Sequence, residues 1–127
     1  MHTIILYGIA NCSTVKKTRD WLSLHHIHYQ FHDFKKLGLQ TPVIEHWLTQ
    51  YSRDLLINRA GLTWRGLDDA TKNNIVNNSA TIQIMQANTS LIKRPILEQD
   101  GIIIAIGFDE IVYTKQFITG PIDNPAN

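Results

Sequence analysis

The chain has 127 residues, of which 43% are hydrophobic and 18% are charged, and these values predict a globular protein with an ordinary core. Twelve lysines and arginines against eleven acidic residues leave a formal charge of +1. The sequence therefore lacks the basic field that drives direct binding to nucleic acid or to an anionic membrane. Its longest apolar runs, "TIILYGIA" and "GIIIAIGF", fall short of the roughly 18 residues that a membrane span requires.

The cellular compartment is predicted from the N-terminus and the cysteine content. Neither a basic n-region nor a small-residue cleavage site follows Met1, so we expect no signal peptide. The single cysteine, Cys12, cannot form an internal disulfide, which fits a reducing environment. We therefore expect a cytoplasmic protein.

The first part of the chain predicts a β-α-β unit. Residues 3–7, "TIILY", are apolar at consecutive positions, as in a strand that is covered on both faces. From Cys12 or Ser13 to Leu22 the apolar residues recur every three or four positions, which is typical of a helix. Residues 27–34, "IHYQFHDF", alternate apolar and polar side chains and predict a second strand. A strand, a helix and a strand in this order predict a parallel pair.

The middle of the chain is predicted to be helical but interrupted. Thr41 and Pro42 form an N-cap and first-turn pair that begins one helix. Residues 52–69 are rich in turn-forming residues. Residues 70–88 predict two short helices, with Ser79 as the N-cap of the second.

The last part predicts a hairpin and a helix. "RPILEQDGIIIAIGF" reads as two strands joined by an Asp-Gly turn at Asp100 and Gly101. Residues 109–117 have helical spacing, with Asp109 as the N-cap, and the tail from about residue 118 is expected to be flexible.

This order of elements predicts an α/β fold in which helices pack on a mixed four-stranded sheet. The sequence contains no internal repeat, low-complexity segment or linker. We therefore predict a single domain that spans residues 1–127.

Cys12 is the main candidate for chemistry. It lies where a strand turns into a helix, and the unpaired N–H groups and dipole of a helical first turn favour a thiolate over a thiol. Ser13 and Thr14 add hydroxyl groups to the same turn, and Lys16 adds positive charge one turn later. The residues alone leave two interpretations open: a nucleophile, or a small buried side chain behind the turn.

Arginines are the second set of candidates. In "IKRPIL", Pro95 begins a strand through a cis or a trans peptide bond, and Arg94 beside it carries a guanidinium that fits a carboxylate or an oxyanion. Arg59 and Arg65 flank "AGLTW", a segment whose glycine can bring one of them toward Cys12. For all three arginines a solvent-exposed side chain without a ligand is the alternative.

The six histidines do not predict a metal site. His25, His26 and His28 span a helix end and a strand start instead of sharing one face, and no second cysteine completes a zinc set. We expect no bound metal.

Five blocks of the sequence, in this order, resemble the ArsC-like branch of the thioredoxin superfamily, which includes glutathione-dependent arsenate reductases, Spx transcription regulators and YffB-type proteins. The blocks are "YGIANCSTVKKTRDWL", "YQFHDFKKLGL", "LLINRAGLTWRGLD", "LIKRPIL" and "IGFDEIVY", and they are most similar to the YffB type. The resemblance covers residues 3 to about 118.

The resemblance implies a thioredoxin-like sheet, with Cys12 as the nucleophile and Pro95 as a cis-proline that faces it. Arg94 matches an arginine that arsenate reductases use to bind the oxyanion. In such enzymes the thiolate attacks the arsenic centre, glutathione takes over the adduct, and a glutaredoxin resolves the mixed disulfide. The chain is thus expected to bind no resident cofactor and to use glutathione as co-substrate, with a small oxyanion or thiol as substrate and glutaredoxin as a partner.

The sequence departs from that family's pattern at two places. Val15 occupies the position of the resolving cysteine in a CxxC motif, so a monothiol mechanism with an external thiol is required. Arsenate reductases also carry two further arginines. Arg59 lies near the first of these positions, whereas "AIGFD" offers no arginine at the second, which argues against arsenate as the substrate.

The expected function is a monothiol, glutathione-dependent thiol oxidoreductase. The alternatives are an arsenate reductase proper and an Spx-like module that binds RNA polymerase and regulates transcription. The residues assigned to this site are Cys12 as the catalytic nucleophile and, for binding substrate or glutathione, Arg94, Arg59, Ser13, Thr14, Lys16 and Pro95.

Overall fold

The computed structural model describes residues 2–119, and its centre is a mixed four-stranded sheet with strand order β2-β1-β3-β4. β1 pairs with β2 in parallel and with β3 antiparallel, and β3 and β4 form an antiparallel hairpin. The predicted fold class is therefore confirmed, whereas most of the predicted flexible tail lies outside the described residues. The strands are β1 (Ile4–Gly8), β2 (Gln30–Asp33), β3 (Ile96–Gln99) and β4 (Ile102–Ile106).

Helices connect and cover these strands, and within residues 2–119 none is long and apolar enough to cross a membrane. A 3₁₀ turn (Thr89–Leu91) precedes β3, and a π-helical segment (Lys115–Thr119) follows the last α-helix. The α-helices of the described residues are α1 (Ser13–Leu24), α2 (Phe34–Leu37), α3 (Thr41–Gln50), α4 (Arg53–Leu56), α5 (Leu62–Arg65), α6 (Asp69–Asn73), α7 (Asn78–Ala87) and α8 (Glu110–Thr114).

The helix starts test the predicted N-caps. Asp109 caps α8 as predicted, because its carboxylate accepts two backbone N–H groups of the first turn. Thr41 is not a cap: the extended residue before α3 is Gln40, and Thr41 is already helical. Ser79 was also a wrong prediction, since the side chain of Asn77 accepts the N–H three residues later at 2.8 Å and starts α7 earlier.

The hairpin between β3 and β4 turns where the sequence predicted. Asp100 and Gly101 have φ angles of +53° and +83°, the left-handed pair that a two-residue type I′ turn requires. β2 begins only at Gln30, later than the predicted start of that strand. The turn-rich segment 52–69 contains the single-turn helices α4 and α5, whose short length gives no periodic signal.

The sheet buries side chains on both faces. Leu6 of β1 packs with the α1 and α8 side of the core, and its neighbour Tyr7 packs with the α3 and α7 side. On the Tyr7 side, the buried Glu98 carboxylate accepts a hydrogen bond from the Trp47 indole N–H at 2.5 Å. Burial, together with the nearby Glu98 charge, raises the pKa of Tyr7 to about 12. β1 is thus the doubly covered strand that its sequence predicted.

Candidate active site

A cavity of about 520 Å³ lies where the β1–α1 turn, the segment before β3 and the end of β4 meet. Two cationic side chains line it, and the described residues of its wall include no carboxylate, so the cavity is electropositive. Apolar side chains make up another part of the wall. The lining residues are Cys12, Thr14, Tyr51, Leu55, Asn58, Lys93, Arg94, Ile106 and Gly107.

Cys12 is the N-cap residue of α1. Its backbone is extended (φ −152°, ψ 123°), its carbonyl accepts the Lys16 N–H at 2.9 Å, and its side chain makes no capping hydrogen bond. The half-buried sulfur is therefore left for the cavity, at the positive end of a twelve-residue helix. The first turn contains no acidic residue to offset that field, and Thr14 in the same turn also lines the cavity.

Of the neighbouring residues Arg94 and Pro95, only Arg94 lines the cavity. The Arg94–Pro95 peptide bond is cis. One guanidinium N–H of Arg94 donates to the Ser90 carbonyl at 3.3 Å, whereas its buried Nε has no hydrogen-bond partner within residues 2–119. Pro95 is buried behind the wall instead of lining it, and its carbonyl accepts the Gly107 N–H at 2.7 Å.

The structure adds residues that the sequence analysis did not select. An isolated antiparallel bridge between Ile57 and Ile92 brings two loops together, and the next residues, Asn58 and Lys93, both line the cavity. Gly61 makes room for Asn58, because a Cβ at Gly61 would lie 2.9 Å from the Asn58 amide nitrogen. Lys93 had a signal, its position beside Arg94, but the bridge that recruits Asn58 joins segments 35 residues apart in sequence.

Four predicted residues lie elsewhere. Ser13 and Lys16 are exposed, and the Lys16 ammonium pairs with Asp20 at 2.7 Å, one turn along α1. Arg59 pairs with Asp54, and its guanidinium lies over the Trp64 ring, 5.2 Å from the centroid. Neither Arg59 nor Arg65 lines the cavity.

The sequence departs from the arsenate reductase pattern at two places, and the positions of Val15 and Gly107 in the fold explain both departures. Val15 is 1% exposed and packs against Gly8, where a Cβ would lie 2.8 Å from a Val15 methyl, so this position belongs to the core. The segment "AIGFD" places Gly107 in the cavity wall, with φ +81° and no atom within 4 Å of the point that a Cβ would occupy. The wall therefore supplies backbone there instead of a third cation.

Comparisons with known proteins identify the family of the chain and its fold. The model of the ArsC family matches residues 7–116. An uncharacterized protein from Haemophilus influenzae is 41% identical over 114 residues, which are 90% of this chain and 98% of that protein. An arsenate reductase (ArsC) related protein from Brucella melitensis is 40% identical, with a TM-score of 0.71, over 91% of this chain and 95% of that one.

Two further structures are similar in fold. The YffB (PA3664) protein has a TM-score of 0.78 and 37% identity, over 88% of this chain and 96% of that one. An arsenate reductase from Vibrio cholerae is 17% identical with a TM-score of 0.67, over 80% and 86% of the two chains, and shares the fold alone. The chain belongs to the ArsC family, with its thioredoxin-like, arsenate reductase-like fold.

Proposed function

We propose that the protein is a monothiol thiol–disulfide oxidoreductase in which Cys12 exchanges with glutathione. The observation that carries the proposal is the position of Cys12: its sulfur lies at the N-terminus of α1, in a cavity that also contains Lys93 and Arg94. A helix N-terminus and neighbouring cations stabilise a thiolate, which is the attacking species in thiol exchange.

The reaction proceeds through two exchange steps. The Cys12 thiolate attacks the glutathione sulfur of a mixed disulfide, the S–S bond breaks, and the other sulfur leaves as a thiolate that takes a proton from water. A second glutathione thiolate then attacks the Cys12–glutathione disulfide, which releases the Cys12 thiolate and oxidised glutathione. An external thiol is needed in the second step because the chain contains no other cysteine.

The cavity favours an organic ligand over a bare oxyanion. Its volume of about 520 Å³ is within the range of small-molecule sites, and Tyr51, Leu55 and Ile106 give it apolar wall that an oxyanion does not use. Lys93 and Arg94 supply two positive charges, and glutathione carries two carboxylates. Both size and charge therefore support glutathione as the co-substrate.

A coupled assay tests the proposal. Hydroxyethyl disulfide and glutathione are supplied with glutathione reductase, and NADPH consumption is followed with the wild-type protein and with Cys12→Ser. We expect turnover above the uncatalysed rate that is lost in Cys12→Ser. Equal rates for the two proteins would contradict the proposal.

Arsenate reduction is the second candidate, and one observation favours it: the Arg94 side chain lines the Cys12 cavity, and a guanidinium can bind an oxyanion. The name of the Brucella melitensis relative, an arsenate reductase related protein, points the same way. Against it, Arg59 lies outside the cavity and Gly107 has no side chain. With arsenate, glutathione and glutaredoxin in the same assay, we expect a lower kcat/KM than with the organic disulfide.

A further inference from the structure

Tyr113 of α8 joins the two sides of the Cys12 cavity. Its ring is fully buried and packs edge-on against Trp21 of α1, with 5.4 Å between the ring centroids. Its hydroxyl donates a hydrogen bond to the Gly107 carbonyl at 3.1 Å. One side chain therefore contacts both the helix that begins after Cys12 and the glycine in the opposite part of the chain that lines the same cavity.

Gly107 depends on backbone contacts for its position. It has no side chain, and its φ of +81° lies in the left-handed region, which glycine adopts without a steric penalty. Its N–H donates to the Pro95 carbonyl at 2.7 Å and its carbonyl accepts from Tyr113, so both polar groups of this wall residue are held. Without the Tyr113 hydroxyl, only the bond to Pro95 remains.

The Tyr113 hydroxyl keeps the proton that it donates in its hydrogen bond. Burial raises the pKa of Tyr113 to about 12, so the phenol stays protonated at neutral pH. Its ring also belongs to the buried cluster that contains Val15 of the first turn of α1. Tyr113 thus packs with α1 through its ring and holds Gly107 through its hydroxyl.

We propose that Tyr113 is a positioning residue for the thiol-exchange site, because it fixes the Gly107 wall relative to α1. It does not line the cavity and acts through Gly107. The part of the proposal that concerns ligand binding rests on the proposed function, whereas the part that concerns the wall does not.

The test uses Tyr113→Phe, which keeps the packed ring and removes only the hydroxyl. We expect amide hydrogen exchange at Gly107 to become about tenfold faster relative to the amide of Ile103 in β4, because one of the two bonds at the wall is lost. In the coupled assay, KM for glutathione rises about three- to tenfold while kcat changes less than about twofold, since the loosened wall weakens binding and leaves Cys12 in place.

Tyr29→Phe is the matched control. The Tyr29 hydroxyl accepts a hydrogen bond from Arg19 at 3.1 Å and does not line the Cys12 cavity, so its loss leaves the Gly107 exchange ratio and KM unchanged. The proposal is overturned if the Gly107 ratio in Tyr113→Phe equals that of wild type, or if the two variants change it equally. Because the Gly107 exchange ratio is measured without turnover, it tests whether Tyr113 holds the cavity wall even if the coupled assay contradicts the proposed function.

Discussion

Arg94 is the residue whose charge the proposed reaction uses most directly. Its guanidinium lines the cavity with a buried Nε that no residue of the described chain engages. If it binds a glutathione carboxylate, Arg94→Gln loses a charge-assisted hydrogen bond of about 1.5–3 kcal/mol, which raises KM for glutathione about tenfold or more. The measurement is the coupled assay over a range of glutathione concentrations.

Lys35→Gln provides the control for Arg94→Gln. Lys35 is exposed on α2 and does not line the cavity, so the same loss of one positive charge is expected to leave KM unchanged. Equal KM values for wild type and Arg94→Gln would remove Arg94 from the binding site.

Gly8 is the residue that lets α1 lie close to β1. A Cβ there would lie 2.8 Å from a methyl of Val15, a side chain that is 1% exposed and has no room to move. We expect Gly8→Ala to lower the free energy of unfolding by about 1–3 kcal/mol through overpacking. Urea unfolding of this variant measures the loss.

A double-mutant cycle tests whether the loss of stability in Gly8→Ala comes from the clash with Val15. Val15→Ala removes the opposing methyls, so Gly8→Ala is expected to cost less in the Val15→Ala background than in wild type. Additive losses would contradict the proposed contact.

At the scale of the element, the hairpin turn is tied to the start of the chain by Asp100. Its carboxylate accepts the Thr3 N–H at 2.8 Å and lies 2.6 Å from a ring nitrogen of His2. The Thr3 hydrogen bond, and then the one to His2, lowers the pKa of Asp100 below its ordinary value of 3.8. A carboxyl group with a lowered folded-state pKa adds stability above its unfolded-state pKa and loses it as the pH falls through the folded-state value.

Asp100→Asn tests this linkage, and Asn tolerates the left-handed φ of +53° at that position. Wild type is expected to be more stable than Asp100→Asn at neutral pH, and the difference shrinks as the pH falls below 3.8. Urea unfolding at a series of pH values measures the difference. A difference that is as large at a pH of about 2.5 as at neutral pH would mean that the carboxylate charge makes no contribution.

The sequence predicted the elements whose signals are local. Asp109 caps a helix through its own oxygen and the Asp-Gly pair supports a two-residue turn, so both were predictable. Thr41 and Ser79 failed as caps because an earlier polar residue occupies the extended position before the helix: Gln40, one position before Thr41, and Asn77, two positions before Ser79. Local signals locate a helix start only to within a few residues.

At the scale of the whole molecule, the cavity was only partly predictable. Cys12, Thr14 and Arg94 were selected from the chain because of their chemistry and their local setting, and the structure brings them to one cavity. Asn58 was missed because the Ile57–Ile92 bridge that brings it there joins distant segments. Arg59 has the chemistry for the site, but it pairs with Asp54, only five residues earlier, and lies outside the cavity wall. This competing partner was visible in the sequence.

If the fold activates Cys12, the sulfur reacts faster in the folded chain than in the same chain in urea. The rate at which Cys12 takes a glutathionyl group from oxidised glutathione is followed by intact mass at neutral pH, with a small thiol in the same urea as the reference for solvent effects. We expect a rate constant at least about tenfold larger in the folded protein, because the α1 N-terminus and the cavity cations favour the thiolate. A folded rate at or below the unfolded rate would make Cys12 a structural thiol and contradict the account.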